Sequence, residues 1–172
     1  MTMETVLMNM MTQRIRQTVK ANSCVGTIGS EIFDAGLIEL SERSFPPPHG
    51  EAYVLFARQR APQPPYTTKE LTLSFSKGFT EDPYDLTPST PTVRLTFADN
   101  SDPTKTLVYT QREGQALLKH DDSTGVFTAD LTEVIVENRD DDILKELTLE
   151  VHFSAKGSIV MSRRSRARVL AA

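Results

Sequence analysis

The sequence predicts an all-β protein, an antiparallel β-sandwich of jelly-roll type with one N-terminal amphipathic helix. Three observations lead there. From residue 22 onward, apolar residues recur with period 2, which sends alternate side chains to opposite faces of a strand. The alternating segments are short, roughly eight to eleven of them, and turn residues punctuate them as in sandwiches rather than in strand–helix–strand units. Helical spacing is confined to residues 1–21.

In that first segment, at 100° per residue, Met3, Val6, Leu7, Met10, Met11, Ile15 and Val19 share one broad side, with Thr5, Asn9, Thr12, Arg16 and Lys20 opposite. Glu4 and Arg14 interrupt the apolar arc. Such a helix could cover the chain's own core, pack on a neighbouring subunit, or lie on a membrane. The membrane reading lacks the aromatic and Lys-rich signature of interfacial helices. A secretory peptide does not fit either, because an acid precedes the bases and the bases follow the apolar stretch. Synthesis in the cytoplasm, with no membrane partner, is the expectation.

The clearest strands hold Leu71, Leu73 and Phe75; Val93, Leu95 and Phe97; and Leu147, Leu149, Val151 and Phe153, each alternating with polar residues. Weaker candidates lie at 24–29, 31–40, 51–59, 105–111, 115–119, 125–129, 132–137 and 157–162. Gly26 to Ser30 reads as a bulge or bend, since it has neither the lysine nor the following helix of a phosphate-binding loop. The runs Phe45–Gly50 and Ala61–Tyr66 are Pro-rich and cannot pair inside a sheet. The long connection Lys77–Pro91 is expected to cross between two sheets. The domain organisation is then a helix or arm at 1–21, a sandwich at 22–162 and a basic tail at 163–172.

The chain offers little material for catalysis. Cys24, the sole cysteine, allows neither an internal disulfide nor a Cys-rich zinc site, and no neighbouring charge activates it. His49, His120 and His152 are scattered, without metal-site spacing. Carboxylates cluster at Glu81–Asp85, Asp99–Asp102, Asp121–Asp122 and Asp140–Asp142, at expected strand ends. Those oxygens suit Ca²⁺, but turns use Asp and Asn in the same way, and the turn reading is preferred. With no Trp and four Tyr, a sugar-cleaving groove has few platforms. No cofactor, metal or catalytic residue is therefore assigned, and the protein is expected not to be an enzyme.

Charge layout carries the functional expectation. Residues 1–20 sum to +2, residues 21–162 to −10 and residues 163–172 to +4. An acidic body repels a polyanion, and no aromatic residue interleaves the terminal arginines to stack on bases, so nucleic acid is disfavoured. The expected role is a structural subunit that assembles into a homo-oligomer or larger particle with other structural proteins. Virion and capsid components of phages offer an architectural analogy. The contact residues expected are Met3, Leu7 and Met10 of the first segment and Arg163, Arg164, Arg166 and Arg168 of the last. The alternative is an adhesion module for a glycan or protein, with or without Ca²⁺. The strand reading also makes Leu95→Asp and Leu149→Asp unfolding changes, and limits Glu150→Lys to about 0.5 kcal/mol.

Overall fold

The structure is a computed structural model that describes residues 22–156. The expected helix at 1–21, the strand at 157–162 and the tail at 163–172 lie outside the described residues, and with them Met3, Leu7, Met10, Arg163, Arg164, Arg166 and Arg168. Within the described residues the protein is all-β, with strands β1 (Ser23–Ile28), β2 (Glu31–Asp34), β3 (Leu37–Ser44), β4 (Glu51–Arg60), β5 (Thr68–Ser76), β6 (Tyr84–Asp85), β7 (Val93–Asp102), β8 (Lys105–Asp121), β9 (Val126–Asn138) and β10 (Lys145–Lys156). All pairings are antiparallel, in the order β2-β1-β10-β9-β8-β7-β5-β4-β3, with β6 against β8.

This sheet is curled, so that one face encloses the core. Tyr53 of β4 and Phe75 of β5 meet Phe127 of β9 with ring centroids 5.0 and 6.0 Å apart, although three strands lie between β4 and β9, and two between β5 and β9, in the sheet order. Val93, Leu95 and Phe97 line up inward on β7, and Leu149, Val151 and Phe153 on β10, all buried. Each such side chain contributes about 1.5–3 kcal/mol when fully buried. The alternation foreseen for 71–75, 93–97 and 147–153 therefore faces the side expected.

The two outer strands of the curl are consecutive in the chain. The Ala35 N–H still donates to Cys24 O of β1 at 3.0 Å, whereas the Gly36 N–H already donates to Arg58 O of β4 at 3.0 Å. One stretch, 31–44, thus begins on one side of the sheet and ends on the other, which is how a strand changes partners at a corner. The expected strand 31–40 is accordingly two strands with a bend between them.

Curvature is concentrated along a line across β1, β10, β9 and β8. Two residues of β9, Thr132 and Glu133, stand opposite the single Glu150 of β10, and the register slips again around Gly114 of β8. Glu133 has φ +49°, and its N–H donates to Glu150 Oε1 at 2.8 Å, so a carboxylate satisfies the amide that the bulge takes out of the ladder. Glycine is required twice on this line. A Cβ on Gly26 would sit 1.9 Å from Glu150 O, and one on Gly114, at φ +117°, would sit 2.5 Å from Val134 Cα.

The expected pairs of strands 105–111 with 115–119, and 125–129 with 132–137, are each one continuous bulged strand. The connection Lys77–Pro91 is not a crossover, because β5 and β7 are direct neighbours. It packs instead on the molecule, with Tyr84–Asp85 pairing Gln115–Ala116 and Leu86 fully buried.

The strands run between two ends. At the entry end lie the starts of β1 and β4, the close of β10 and the connections 45–50, 77–92 and 122–125. At the far end lie the turns 29–30, 61–67, 103–104 and 139–144.

Candidate functional site

The most built surface is on the outer face of β3, β4, β5 and β7 towards the entry end, where the Pro-rich loop 45–50 folds back on the sheet. His49 anchors it. Its Nδ1 lies 2.8 Å from Pro91 O and its Nε2 lies 3.0 Å from Ser74 Oγ, both His49 and Ser74 being buried. A carbonyl only accepts, so Nδ1 carries a proton and donates to Pro91 O, while Nε2 and the Ser74 hydroxyl share the second bond. The Ser76 hydroxyl donates to His49 O at 2.7 Å, and the Phe45 ring meets the imidazole edge-on at 5.0 Å.

The loop explains why Ala52 and Val54, which point outward from β4, are buried. Between loop and sheet runs a groove of about 450 Å³, floored by Val54, Thr72 and Thr96, walled by Phe45 and the Pro46–Pro48 run, and flanked by Arg43 and Arg94. Arg43 and Arg94 are both exposed, and neither forms an ion pair among the described residues. What this arrangement can do chemically is hold an apolar segment that carries carboxylates.

A second feature of the entry end is the meeting of the first and last described residues. Ser23 is the register partner of Ser154, and the Lys156 N–H donates to Asn22 Oδ1 at 2.7 Å. The described residues 22–156 therefore begin and end side by side.

The remaining sequence candidates are scattered. His120 stacks on Phe127 at 4.1 Å and places Nδ1 2.9 Å from Asp122, while His152 bonds Asp130 directly across the β9–β10 pair. Cys24 is fully buried, and burial, with Asp34 adding to it, pushes its thiol far above the ordinary range, which leaves no thiolate for chemistry. Two of the acidic clusters serve their own turns, whereas Glu81 accepts the His120 N–H at 3.1 Å and Asp141 pairs with Lys105. Asp99, Asp102 and Asp121 each accept an N–H two residues on at 2.9 Å. The Thr104 hydroxyl holds the Asp102 carboxyl below the ordinary range, as the Ser123 hydroxyl does for Asp121. Among the described residues no three His, Cys, Asp or Glu are placed to hold a metal ion.

Sequence reasoning missed two arrangements. The His49–Ser74 pair joins residues 25 apart, and nothing local in either segment signals it. Glu42 continues the inward series Ile38, Leu40 with a carboxylate, and Lys77 Nζ reaches its Oε1 at 2.9 Å. That hydrogen bond raises the Lys77 pKa. A charge in an apolar register was the available signal. Compared with protein-family models, curated proteins and solved structures, the chain matches none.

Proposed function

We propose that this chain is a non-enzymatic structural subunit that joins copies of itself, through its two terminal segments, into a homo-oligomer or larger particle such as a phage or virion component. The curled sheet is read as a jelly-roll-like sandwich, its β4–β5 side facing β9 across the aromatic core. One observation supports the proposal. The described residues begin and end side by side, at Asn22 and Lys156, in a chain whose residues 21–162 sum to −10 while residues 1–20 and 163–172 sum to +2 and +4. Like-charged bodies repel, while basic segments are attracted to a neighbour's acidic surface. In this reading Met3, Leu7 and Met10 supply apolar contact, and Arg163, Arg164, Arg166 and Arg168 supply bidentate contacts to carboxylates.

A second reading, a monomeric adhesion module for a protein, draws on the groove beside Arg43 and Arg94 rather than on calcium. Size-exclusion chromatography with light scattering separates the two. The full chain is expected to show a multiple of the 19.2 kDa subunit mass, and chains lacking residues 1–21 or 157–172 a smaller mass. A monomer for all three at micromolar concentration overturns the assembly reading.

A further inference from the structure

We infer that the groove between the Pro46–Pro48 run and the outer face of β3, β4, β5 and β7 receives the loop Asp140–Leu144 of a second copy of this chain. The inference rests on the assembly reading and adds to it a contact between folded bodies. The groove asks for an occupant that is anionic and apolar within a few residues, since Arg43 and Arg94 flank a floor and wall that include Val54, Phe45 and three prolines.

This chain carries such a segment. In Asp140-Asp141-Asp142-Ile143-Leu144 all five residues are exposed, with Ile143 at 58% and Leu144 at 50%. Lys105 engages Asp141, so the other two aspartates leave a charge of −2 opposite the two guanidiniums. The loop presents its aspartates from one tight 3-10 turn, Asp140–Asp142, which the Ile143 N–H closes by donating to Asp140 O at 3.2 Å. The basic terminal segments suit this groove poorly because the two arginines repel them.

Loop and groove lie at opposite ends of the sheet, so a molecule cannot fill its own groove. The contact is head-to-tail, and repetition gives a ring or a filament according to the rotation between copies.

Disulfide trapping in full-length chains tests this. A Thr96→Cys chain is mixed with an Ile143→Cys chain under mild oxidation, Cys24 being buried and out of reach. The expected result is a covalent dimer in the mixture, several-fold above either chain alone, that is lost when Arg94→Glu is added to the first chain and regained when Asp142→Arg is added to the second. Absence of the mixed dimer while both chains keep the parent's mass overturns the inference and leaves the assembly reading standing. A trap that is indifferent to Arg94→Glu overturns it too. So does preferential trapping of Thr96→Cys by Met10→Cys, which would put the N-terminal segment in the groove.

Discussion

The two halves of the sheet reach the same core by different means. In β3, β4, β5 and β7 the ladders run from Leu37↔Arg58 through Lys69↔Asp99 without a register shift, and side chains keep one phase throughout. In β8 and β9 the phase flips, from Tyr109 and Gln111 to Ala116 and Leu118, and from Leu131 to Val134, all buried. Each flip coincides with a bulge. The regular half provides a smooth outer face on which the Pro-rich loop can lie, and the bulged half provides the bend that brings β9 over β4. Curvature here is a local property of a few residues, not of the alternating pattern that both halves share.

If both halves close on one core, an inward charge in either should abolish folding. Leu95→Asp in the regular half and Leu149→Asp in the bulged half each strand a carboxylate in apolar surroundings, a cost of several kcal/mol against a total stability on the order of 5–15. Circular dichroism should find both unfolded at 25 °C. A cooperative melt near the parent's for either one would break the comparison, because that half would then not line the core.

The next largest effect should be confined to the bulged half. Gly26→Ala and Gly114→Ala drive a methyl into backbone and are expected to lose about 3 kcal/mol each. Gly36→Ala, whose added methyl would meet nothing within 4 Å, should stay within about 0.5 kcal/mol. Urea unfolding of the three variants measures the contrast, and equal midpoints would remove the curvature argument.

The smallest effect sharpens the account of the bulge. Glu150 lies on the wet face as expected, yet its carboxylate accepts the Glu133 N–H. Glu150→Lys should therefore cost about 1 kcal/mol rather than 0.5, and Glu150→Gln, which keeps an acceptor, less. A chemical melt in which Lys and Gln behave alike would mean that the hydrogen bond contributes nothing.

The same contrast explains what could be read from the chain. Leu71 to Phe75, Val93 to Phe97 and Leu147 to Phe153 were legible because period 2 survives wherever pairing is regular. Where a bulge adds a residue the period breaks, so β8 and β9 each read as two strands although pairing continues across the break. The bend at Ala35–Gly36 has the opposite signature, a pattern that runs on while its partners change. Long-range placement was not legible at all. The spacing of Lys77 to Pro91 says nothing about β5 and β7 being neighbours, and the His49–Ser74 pair exists only because a loop folds back on a sheet. The acidic turns were legible, since Asp followed two residues later by Ser or Thr carries its hydrogen-bond partner with it.

The central claim is that the basic terminal segments hold copies together. Sedimentation equilibrium of the full chain beside a variant with Arg163, Arg164, Arg166 and Arg168 all replaced by Ser tests it without touching residues 22–156. The account predicts a multi-subunit mass for the parent and a marked fall for the variant. A variant that keeps the parent's mass, or a parent that is monomeric at tens of micromolar, would contradict it.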